Sequence, residues 1–206
     1  MSGRFITLEG GEGAGKSTQA RLLKAALEAR GVPVLQTREP GGAPGAERLR
    51  ALLLSGEVEW SSLAETLLHF AARAEHVERT IRPALARGIT VVCDRFTDST
   101  MAYQGYGQGV DRAMIGALTR AIGLVPDLTM VLDVEPMIAA ARLQGRGGDP
   151  DRYERLGADF HARVRAGFRS IAAAETQRCV VVDAGGSEQQ VHRAVLAAVA
   201  DRLGVL

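Results

Sequence analysis

A glycine-rich run lies between an apolar segment and a helical pattern near the start of the chain. Its residues are Gly10, Gly11, Glu12, Gly13, Ala14, Gly15, Lys16, Ser17 and Thr18. From Gly10 to Ser17 the run matches G-x-x-x-x-G-K-[ST], and residues 5–8 before it are typical of a buried strand. Here glycines let backbone amides turn around an anion, and the helix directs its positive end at that anion. We therefore predict an ATP-binding loop in which Lys16 contacts the β- and γ-phosphates.

Apolar strands alternate with helical patterns along the rest of the chain. The predicted strands are 5–8, 32–37, 89–93, 128–132 and 179–182. The predicted helices are 16–30, 46–54, 63–87, 111–122, 136–143, 153–175 and 188–203. This alternation predicts an α/β fold, a three-layer α/β/α sandwich around a five-stranded, mostly parallel sheet. No linker or repeat divides residues 1–206, so we expect a single domain with ligands at the carboxyl ends of the strands.

Charge and composition argue against several classes of protein. The 206 residues carry a net charge of +1, without the basic excess of a nucleic-acid-binding or membrane-binding surface. No apolar run approaches the roughly 18 residues of a membrane span, and the chain enters a strand without a targeting segment. Cys93 and Cys179 border apolar strands, which indicates buried thiols in a reducing compartment. We expect a cytoplasmic protein without nucleic-acid or membrane partners.

An acidic residue, Asp94, follows the third predicted strand and precedes Arg95. A carboxylate at the end of an apolar strand is typical of the residue that holds the magnesium shell beside a phosphate loop. Asp133 and Asp183 also end apolar strands, but only Asp94 is followed by an arginine that would point at the phosphates. The sequence therefore predicts Mg²⁺ as cofactor, held by Ser17 and Asp94.

Three classes of protein use such a loop: kinases of small molecules, GTPase switches, and ATPases that act on a partner. A GTPase requires an Asn-Lys-x-Asp motif to read its base, and the sequence contains no asparagine. Partner-driven ATPases usually bring extra domains, whereas this chain is short. A small-molecule kinase requires a second anion site and an arginine-rich flexible segment, and the sequence offers candidates for both.

Distinctive polar runs follow the second and third predicted strands. They are Thr37-Arg38-Glu39-Pro40-Gly41-Gly42, Asp94-Arg95-Phe96 and Ser99-Thr100-Met101-Ala102-Tyr103-Gln104-Gly105. Together with the glycine-rich loop, these runs resemble the thymidylate kinases of the bacterial type over essentially the whole chain. The resemblance implies a homodimer that phosphorylates thymidine monophosphate with ATP, and a cis peptide bond before Pro40. Another nucleoside monophosphate kinase, such as one acting on deoxyuridylate, is the alternative.

The resemblance also implies roles for individual residues of the acceptor site. It places the substrate at Glu12, Glu39, Pro40, Arg50, His69, Phe70, Arg73, Arg95, Thr100, Tyr103 and Gln104. Glu12 would accept from the sugar 3′-hydroxyl, and Tyr103 would pack against the sugar where a 2′-hydroxyl would lie. Arg50 and Arg95 would hold the acceptor phosphate. Arg73 would donate to a thymine carbonyl.

One position departs from the family pattern. The family places a phenylalanine that stacks on thymine four residues before the base-reading arginine. In this chain His69 lies four residues before Arg73, and Phe70 follows it. Helical spacing favours His69 beside Arg73, with Phe70 in the core or in a subunit interface. The alternative is a local bulge that returns Phe70 to the site.

Residues 142–152 combine glycines and a proline with arginines, and we predict a mobile lid. Some thymidylate kinases carry a catalytic arginine in the phosphate loop, where this chain has Gly13, and others supply one from the lid. The resemblance therefore implies the lid type. Arg146 is the best candidate because glycines flank it, and Arg142 and Arg152 are the alternatives. The predicted catalytic residues are Lys16, Arg95 and Arg146.

Overall fold

Five parallel strands form the centre of the computed structural model, which describes residues 3–147 and 152–204. They are β1 (Phe5–Glu9), β2 (Val34–Arg38), β3 (Thr90–Asp94), β4 (Leu128–Asp133) and β5 (Cys179–Asp183). Their order in the sheet is β2-β3-β1-β4-β5, and all neighbouring pairs are parallel. The central strands are apolar almost throughout because both faces of a parallel sheet are covered.

Helices connect the strands. They are α1 (Lys16–Glu28), α2 (Pro44–Leu54), α3 (Ser62–His76), α4 (Arg82–Ala86), α5 (Thr97–Thr100), α6 (Arg112–Ile122), α7 (Pro136–Arg146), α8 (Ala158–Ala174) and α9 (Glu188–Leu203). π-Helical turns at Val77–Ile81 and Met101–Gly107 follow α3 and α5. Local sequence fixes several ends: Ser61 caps α3 by accepting from the amide of Ala64, and Ser187 forms a capping box with Gln190 at α9.

Apolar side chains fill both sides of the sheet. On one face, Ile6 of β1 belongs to a core with Leu23 of α1 and Val195 of α9. On the other face, Phe5 packs with Ile81 near the end of α3, and a third core joins β4 to α8. Burial of apolar area on this scale is the main favourable term in folding. The predicted three-layer sandwich with a five-stranded parallel sheet is confirmed.

The strand register brings three strand ends to one edge of the sheet. Leu8 lies opposite Asp94 of β3, and Glu9 lies opposite Val131 of β4. The loop that follows β1 therefore emerges between the carboxyl ends of β3 and β4. This crevice is where open α/β sheets bind their ligands.

The long helix predicted for residues 63–87 is interrupted. α3 ends at His76, the π-helical turn follows, and α4 begins at Arg82. Pro83 explains the break, because its ring crowds the carbonyl of Arg79 and it has no amide hydrogen to donate. The wider π-helical turn accommodates both the crowding by the proline ring and the missing amide hydrogen.

Three other boundaries differ from the prediction. The segment Thr97–Gly107 is helical, although its glycines and hydroxyl residues gave no apolar period. α7 continues to Arg146 through Gly145, since one glycine costs a helix only about 1 kcal/mol. α8 begins at Ala158 and not at residue 153, because Tyr153 and Leu156 close a turn before it. Residues 148–151 of the predicted lid lie outside the described residues.

Candidate active site

The loop between β1 and α1 is shaped by glycines in the left-handed region. Gly10, Gly13 and Gly15 have φ values of 136°, 71° and 87°. A Cβ on Gly10 would lie 2.5 Å from the carbonyl oxygen of Leu132, so only glycine fits this approach to β4. Gly15 precedes α1, and no side chain among the described residues caps the helix. The first amides of α1 are thus available to an anion.

Lys16 lies buried at the start of α1, and Ser17 and Thr18 follow it in the first turn. Its Nζ donates to the carbonyl oxygen of Gly11 at 2.7 Å, across the mouth of the loop. Burial, and then the charge of Arg95, lower the pKa of Lys16, while nearby carboxylates oppose this shift. A buried cation at this loop is suited to bind a polyphosphate.

Two oxygen ligands meet where the loop faces β3. The hydroxyl of Ser17 donates to Oδ2 of Asp94 at 2.5 Å. Hydroxyl and carboxylate oxygens are the donors that Mg²⁺ prefers, so the pair fits this ion. Asp133, at the end of β4, is instead held by two hydrogen bonds from Arg165, and Asp183 accepts the amide of Gly185.

Arg95 is the only non-glycine residue with positive φ among residues 3–147 and 152–204, at 71°. Its Nη1 donates to the carbonyl of Gly10 at 3.1 Å and to the hydroxyl of Ser99 at 3.0 Å. Its Nη2 donates to Glu12 at 2.6 Å and to the hydroxyl of Tyr103 at 3.1 Å. A strained backbone of this kind persists where the surroundings fix it, and it is common at functional sites.

Glu12 is ionised in this arrangement. Burial alone would raise its pKa, but the charges of Arg95 and then Lys16, with a hydrogen bond from Tyr103, lower the pKa to about 2. Tyr103 donates to the same carboxylate at 2.8 Å. The loop, β3 and the segment after α5 are therefore joined by one charged cluster.

A cavity of about 250 Å³ opens beside this cluster. It brings together all the predicted substrate residues except Phe70. Those that line it are Glu12, Glu39, Pro40, Arg50, His69, Arg73, Arg95, Thr100, Tyr103 and Gln104. Lys16, Ser17 and Asp94 line it as well, so the predicted phosphate loop and acceptor site share one space. Tyr153 and Glu154, which follow the predicted lid, also contribute to its wall.

Arg73 is held rigidly in this wall although it is only 2% exposed. Its Nε donates to Glu39 at 2.7 Å, and its Nη2 donates to the carbonyl of Phe96 at 2.9 Å and to Thr100 at 3.1 Å. Its buried Nη1 has no hydrogen-bond partner within the described part of the chain. An unsatisfied buried donor is costly, so this atom indicates that a ligand supplies an acceptor here.

The loop after β2 holds the side chain of Arg73 in place. Glu39, which accepts from Arg73, also pairs with Nδ1 of the buried His76 at 3.0 Å. The peptide bond between Glu39 and Pro40 is cis, which confirms that prediction. The carbonyl of Pro40 accepts from Nη1 of Arg50 at 2.7 Å. Arg50 is thereby directed to the same cavity.

His69 and Phe70 lie on different sides of α3, which is regular across both residues. His69 lines the cavity, and its Nε2 lies 2.8 Å from the hydroxyl of Tyr153. Burial, and then the charge of Arg73, lower the pKa of His69 to about 3, so its ring is neutral. Phe70 is 6% exposed, and its ring centroid lies 4.8 Å from the guanidinium carbon of Arg73.

Two arginines of the predicted lid have partners in the described residues. Arg142 of α7 donates to the carbonyl of Gly186 at 2.8 Å and, more weakly, to that of Gly13 at 3.4 Å. Arg152 pairs with Glu65 at 2.6 Å. The backbone of Arg146 ends α7, and its side chain lies outside the described part of the structure.

Sequence reasoning missed Glu65 and Tyr153. Glu65 is completely buried in α3 and accepts from Tyr153 at 2.9 Å. Glu65, His69 and Arg73 are spaced by four residues, so a search of this helix face for ionisable side chains would have found Glu65. Tyr153 had no such signal because the turn that places it was predicted as helix.

Known proteins match this chain over nearly its full length. Residues 8–195 match the family model described as thymidylate kinase. A thymidylate kinase of Gluconobacter oxydans (strain 621H) is 55% identical, with 98% of this chain and 97% of that protein covered. One of Caulobacter vibrioides is 50% identical, with 98% and 99% covered. The crystal structure of thymidylate kinase from Ehrlichia chaffeensis is 37% identical, with a TM-score of 0.81 over 97% of this chain and 100% of that one.

The parallel sheet, the glycine-rich loop after β1 and the charged cavity beside it define a fold of the nucleoside monophosphate kinase type. Matches of this identity and coverage narrow the class to one family. The chain belongs to the thymidylate kinase family. Within residues 3–147 and 152–204, no helix has the length and apolar character to cross a membrane.

Proposed function

We propose that this protein transfers the γ-phosphoryl group of ATP to thymidine monophosphate and releases ADP and thymidine diphosphate. The observation that carries the proposal is the buried Nη1 of Arg73, which has no hydrogen-bond partner among the described residues. Arg73 lines the same cavity as Lys16 of the predicted phosphate loop. Thymine offers carbonyl oxygens that would accept from this donor. Membership of the thymidylate kinase family supports the same acceptor.

The acceptor phosphate would lie between Arg50 and Arg95. Both arginines line the cavity, and each can hold a phosphate through two parallel N–H donors. In the described structure Arg95 is neutralised by Glu12 at 2.6 Å. A phosphate that enters would share the Arg95 guanidinium with this carboxylate, and Glu12 would accept from the sugar 3′-hydroxyl. Tyr103 would then pack against the sugar.

The donor side would be formed by the loop amides, Lys16 and magnesium. Ser17 and Asp94 supply the hydroxyl and carboxylate oxygens that would hold Mg²⁺, and the nucleotide phosphates would complete its shell. When bound, the ion would neutralise charge on the transferred group. Lys16 would exchange the carbonyl of Gly11 for phosphate oxygens. The protein's task is thus to position two anions and neutralise their charge.

A further cation is needed because Gly13 occupies the loop position where some family members would place an arginine. We propose that Arg146 supplies it from the segment 142–152, acting as a lid. Arg142 and Arg152 are engaged with Gly186 and Glu65, which supports the choice of Arg146. Such a donor stabilises charge that develops only in the transition state.

Residues 1–206 would act as one domain in a cytoplasmic homodimer. Leu52 of α2 and Leu63 and Leu67 of α3 are each about half exposed, at 50%, 50% and 47%. These helices pack against each other, so their leucines offer an apolar face for a second copy. Sedimentation velocity should give a dimer mass, and Leu67→Glu should shift it to the monomer.

Product analysis tests the proposed reaction. The reaction contains thymidine monophosphate, Mg²⁺ and ATP whose γ-phosphate carries oxygen-18. Phosphorus NMR should then show the oxygen-18 label in the β-phosphate of thymidine diphosphate. Arg73→Lys, which retains charge but removes the planar donor array, should form product more slowly at equal substrate concentration. Label found only in inorganic phosphate would contradict the proposal, because water would then be the acceptor.

A further inference from the structure

A buried carboxylate, that of Glu65, faces donors from two other segments of the chain, the π-helical turn Met101–Gly107 with the residue after it and the turn that precedes α8. Glu65 lies in α3 and is 0% exposed. Its Oε1 accepts from the side-chain amides of Gln104 and Gln108, each at 2.8 Å, and from the hydroxyl of Tyr153 at 2.9 Å. Its Oε2 lies 2.6 Å from Nη1 of Arg152. A buried charge is retained at such a position only when its partners compensate its desolvation.

The acceptor-only character of this carboxylate fixes the orientation of Gln104. The guanidinium of Arg152 lies 2.6 Å from this carboxylate, which makes the carboxylate an acceptor, so the amide nitrogen of Gln104 must face Glu65. The amide oxygen is then the group that Gln104 retains for another partner. Gln104 lines the acceptor cavity, where an oxygen can accept from a base N–H but a nitrogen cannot.

The contacts of Glu65 also determine the direction of the hydrogen bond between Tyr153 and His69. The hydroxyl of Tyr153 has one proton, and it donates that proton to Glu65. Its oxygen, which also accepts from the side-chain amide of Gln104 at 3.3 Å, must therefore accept from Nε2 of His69, 2.8 Å away. His69 is then the neutral tautomer with its hydrogen on Nε2 and a lone pair on Nδ1.

We propose that Glu65 is a positioning residue of the acceptor site, which sets the hydrogen-bond polarity of Gln104, Tyr153 and His69 around the base. The effect on binding rests on the proposed function, since it takes a thymine nucleotide as the ligand. The proton arrangement itself does not depend on any ligand. Glu65 does not line the acceptor cavity and acts through the three side chains.

The first test is the tautomer of His69 in the full chain without nucleotide. Long-range proton–nitrogen NMR of the histidine-labelled protein distinguishes the two tautomers, and His69→Gln identifies the signal among the four histidines. The wild-type protein should show hydrogen on Nε2 alone. Hydrogen on Nδ1, or an even mixture, would overturn the proposal whether or not the enzyme phosphorylates thymidine monophosphate.

The second test removes the charge and keeps the shape. In Glu65→Gln the side-chain amide can donate as well as accept, so the orientation of its neighbours is no longer fixed. The KM for thymidine monophosphate should rise about tenfold, while the KM for ATP stays within about twofold. Glu75→Gln, which makes the same change at the half-exposed partner of Arg79 on the same helix, should alter neither value. An equal rise in both KM values, or in neither, would refute the positioning role.

Tyr153→Phe provides a third test that leaves Glu65 and its glutamine contacts in place, and it serves also if Glu65→Gln does not fold. Removing one hydroxyl takes away the acceptor of the His69 Nε2 hydrogen. The His69 signal should then show a mixture of tautomers. An unchanged tautomer would show that Tyr153 does not transmit the polarity of Glu65.

Discussion

Replacing Phe70 with alanine should destabilise the protein while largely sparing its acceptor site. Phe70 is 6% exposed, so the substitution removes a ring from a packed interior. Losses of this kind cost about 3–5 kcal/mol. At about 2–4 °C per kcal/mol for a chain of this size, the melting temperature should fall by about 6–20 °C. Part of this loss in stability is the lost contact between the Phe70 ring and the Arg73 guanidinium, whose carbon lies 4.8 Å from the ring centroid.

His69→Ala should show the opposite pattern. His69 lines the cavity, so its loss should raise the KM for thymidine monophosphate severalfold and change the melting temperature little at neutral pH. Its pKa is lowered to about 3, chiefly by burial, so the folded protein binds fewer protons than the unfolded chain below about pH 6.5. The wild-type protein should therefore lose stability as the pH falls from about 6.5 towards 3. In His69→Ala, the part of this acid-induced loss of stability that comes from His69 should be absent.

Thermal denaturation from pH 4 to 8 and steady-state kinetics at 25 °C measure both variants side by side. Kinetic constants are compared only where circular dichroism shows a folded protein. If Phe70→Ala raised the KM for thymidine monophosphate more than His69→Ala did, and kept the wild-type melting temperature, the assignment of these two residues would be wrong. The phenylalanine would then be the residue that contacts the base.

Three further substitutions test the residues to which we assign phosphate binding and transfer. Lys16→Ala should nearly abolish turnover without unfolding the chain, as judged by circular dichroism, because its described hydrogen bond is a single one to the carbonyl of Gly11; wild-type turnover would contradict the role of Lys16. Arg95→Lys keeps the charge but loses the planar fork, so calorimetry should show thymidine monophosphate binding weakened about tenfold and ATP binding much less; equal losses would make Arg95 structural. Arg146→Ala should lower kcat by at least about a hundredfold with little change in acceptor affinity, as expected for an arginine donor in phosphoryl transfer. A loss below about fivefold in single-turnover transfer would exclude Arg146 and direct the same test to Arg142 and Arg152.

The fold could be predicted from sequence because its signals are local. Strand and helix periods and the glycine-rich loop depend on neighbouring residues, and a parallel sheet follows from their alternation. The segment Thr97–Gly107 could not be predicted in this way, because its helical turns depend on contacts with distant elements. Phe96 and Ser99, for example, are both held by the buried carboxylate of Glu9. Such contacts leave no period in the sequence.

The candidate site was predictable to the extent that its residues follow strands or match the family runs. Arg73 and Thr100 come from distant parts of the chain, yet the resemblance was enough to expect both near the base. The network around Glu65 was beyond reach, because it joins α3 to Tyr153 across 88 positions and Tyr153 was predicted in a helix. Helical geometry favoured His69 beside Arg73, and in the structure His69 lines the cavity and Phe70 does not. Which of the two contacts the base stays a prediction.

A coupled ADP-release assay across the nucleoside monophosphates tests whether thymidine monophosphate is the acceptor of this enzyme. Each acceptor is offered at the same concentration with ATP and Mg²⁺, and ADP formation without acceptor is subtracted. We expect kcat/KM to be highest for thymidine monophosphate, with deoxyuridine monophosphate next and adenylate, guanylate and cytidylate far lower. A higher kcat/KM for adenylate, guanylate, cytidylate or deoxyuridylate would contradict it.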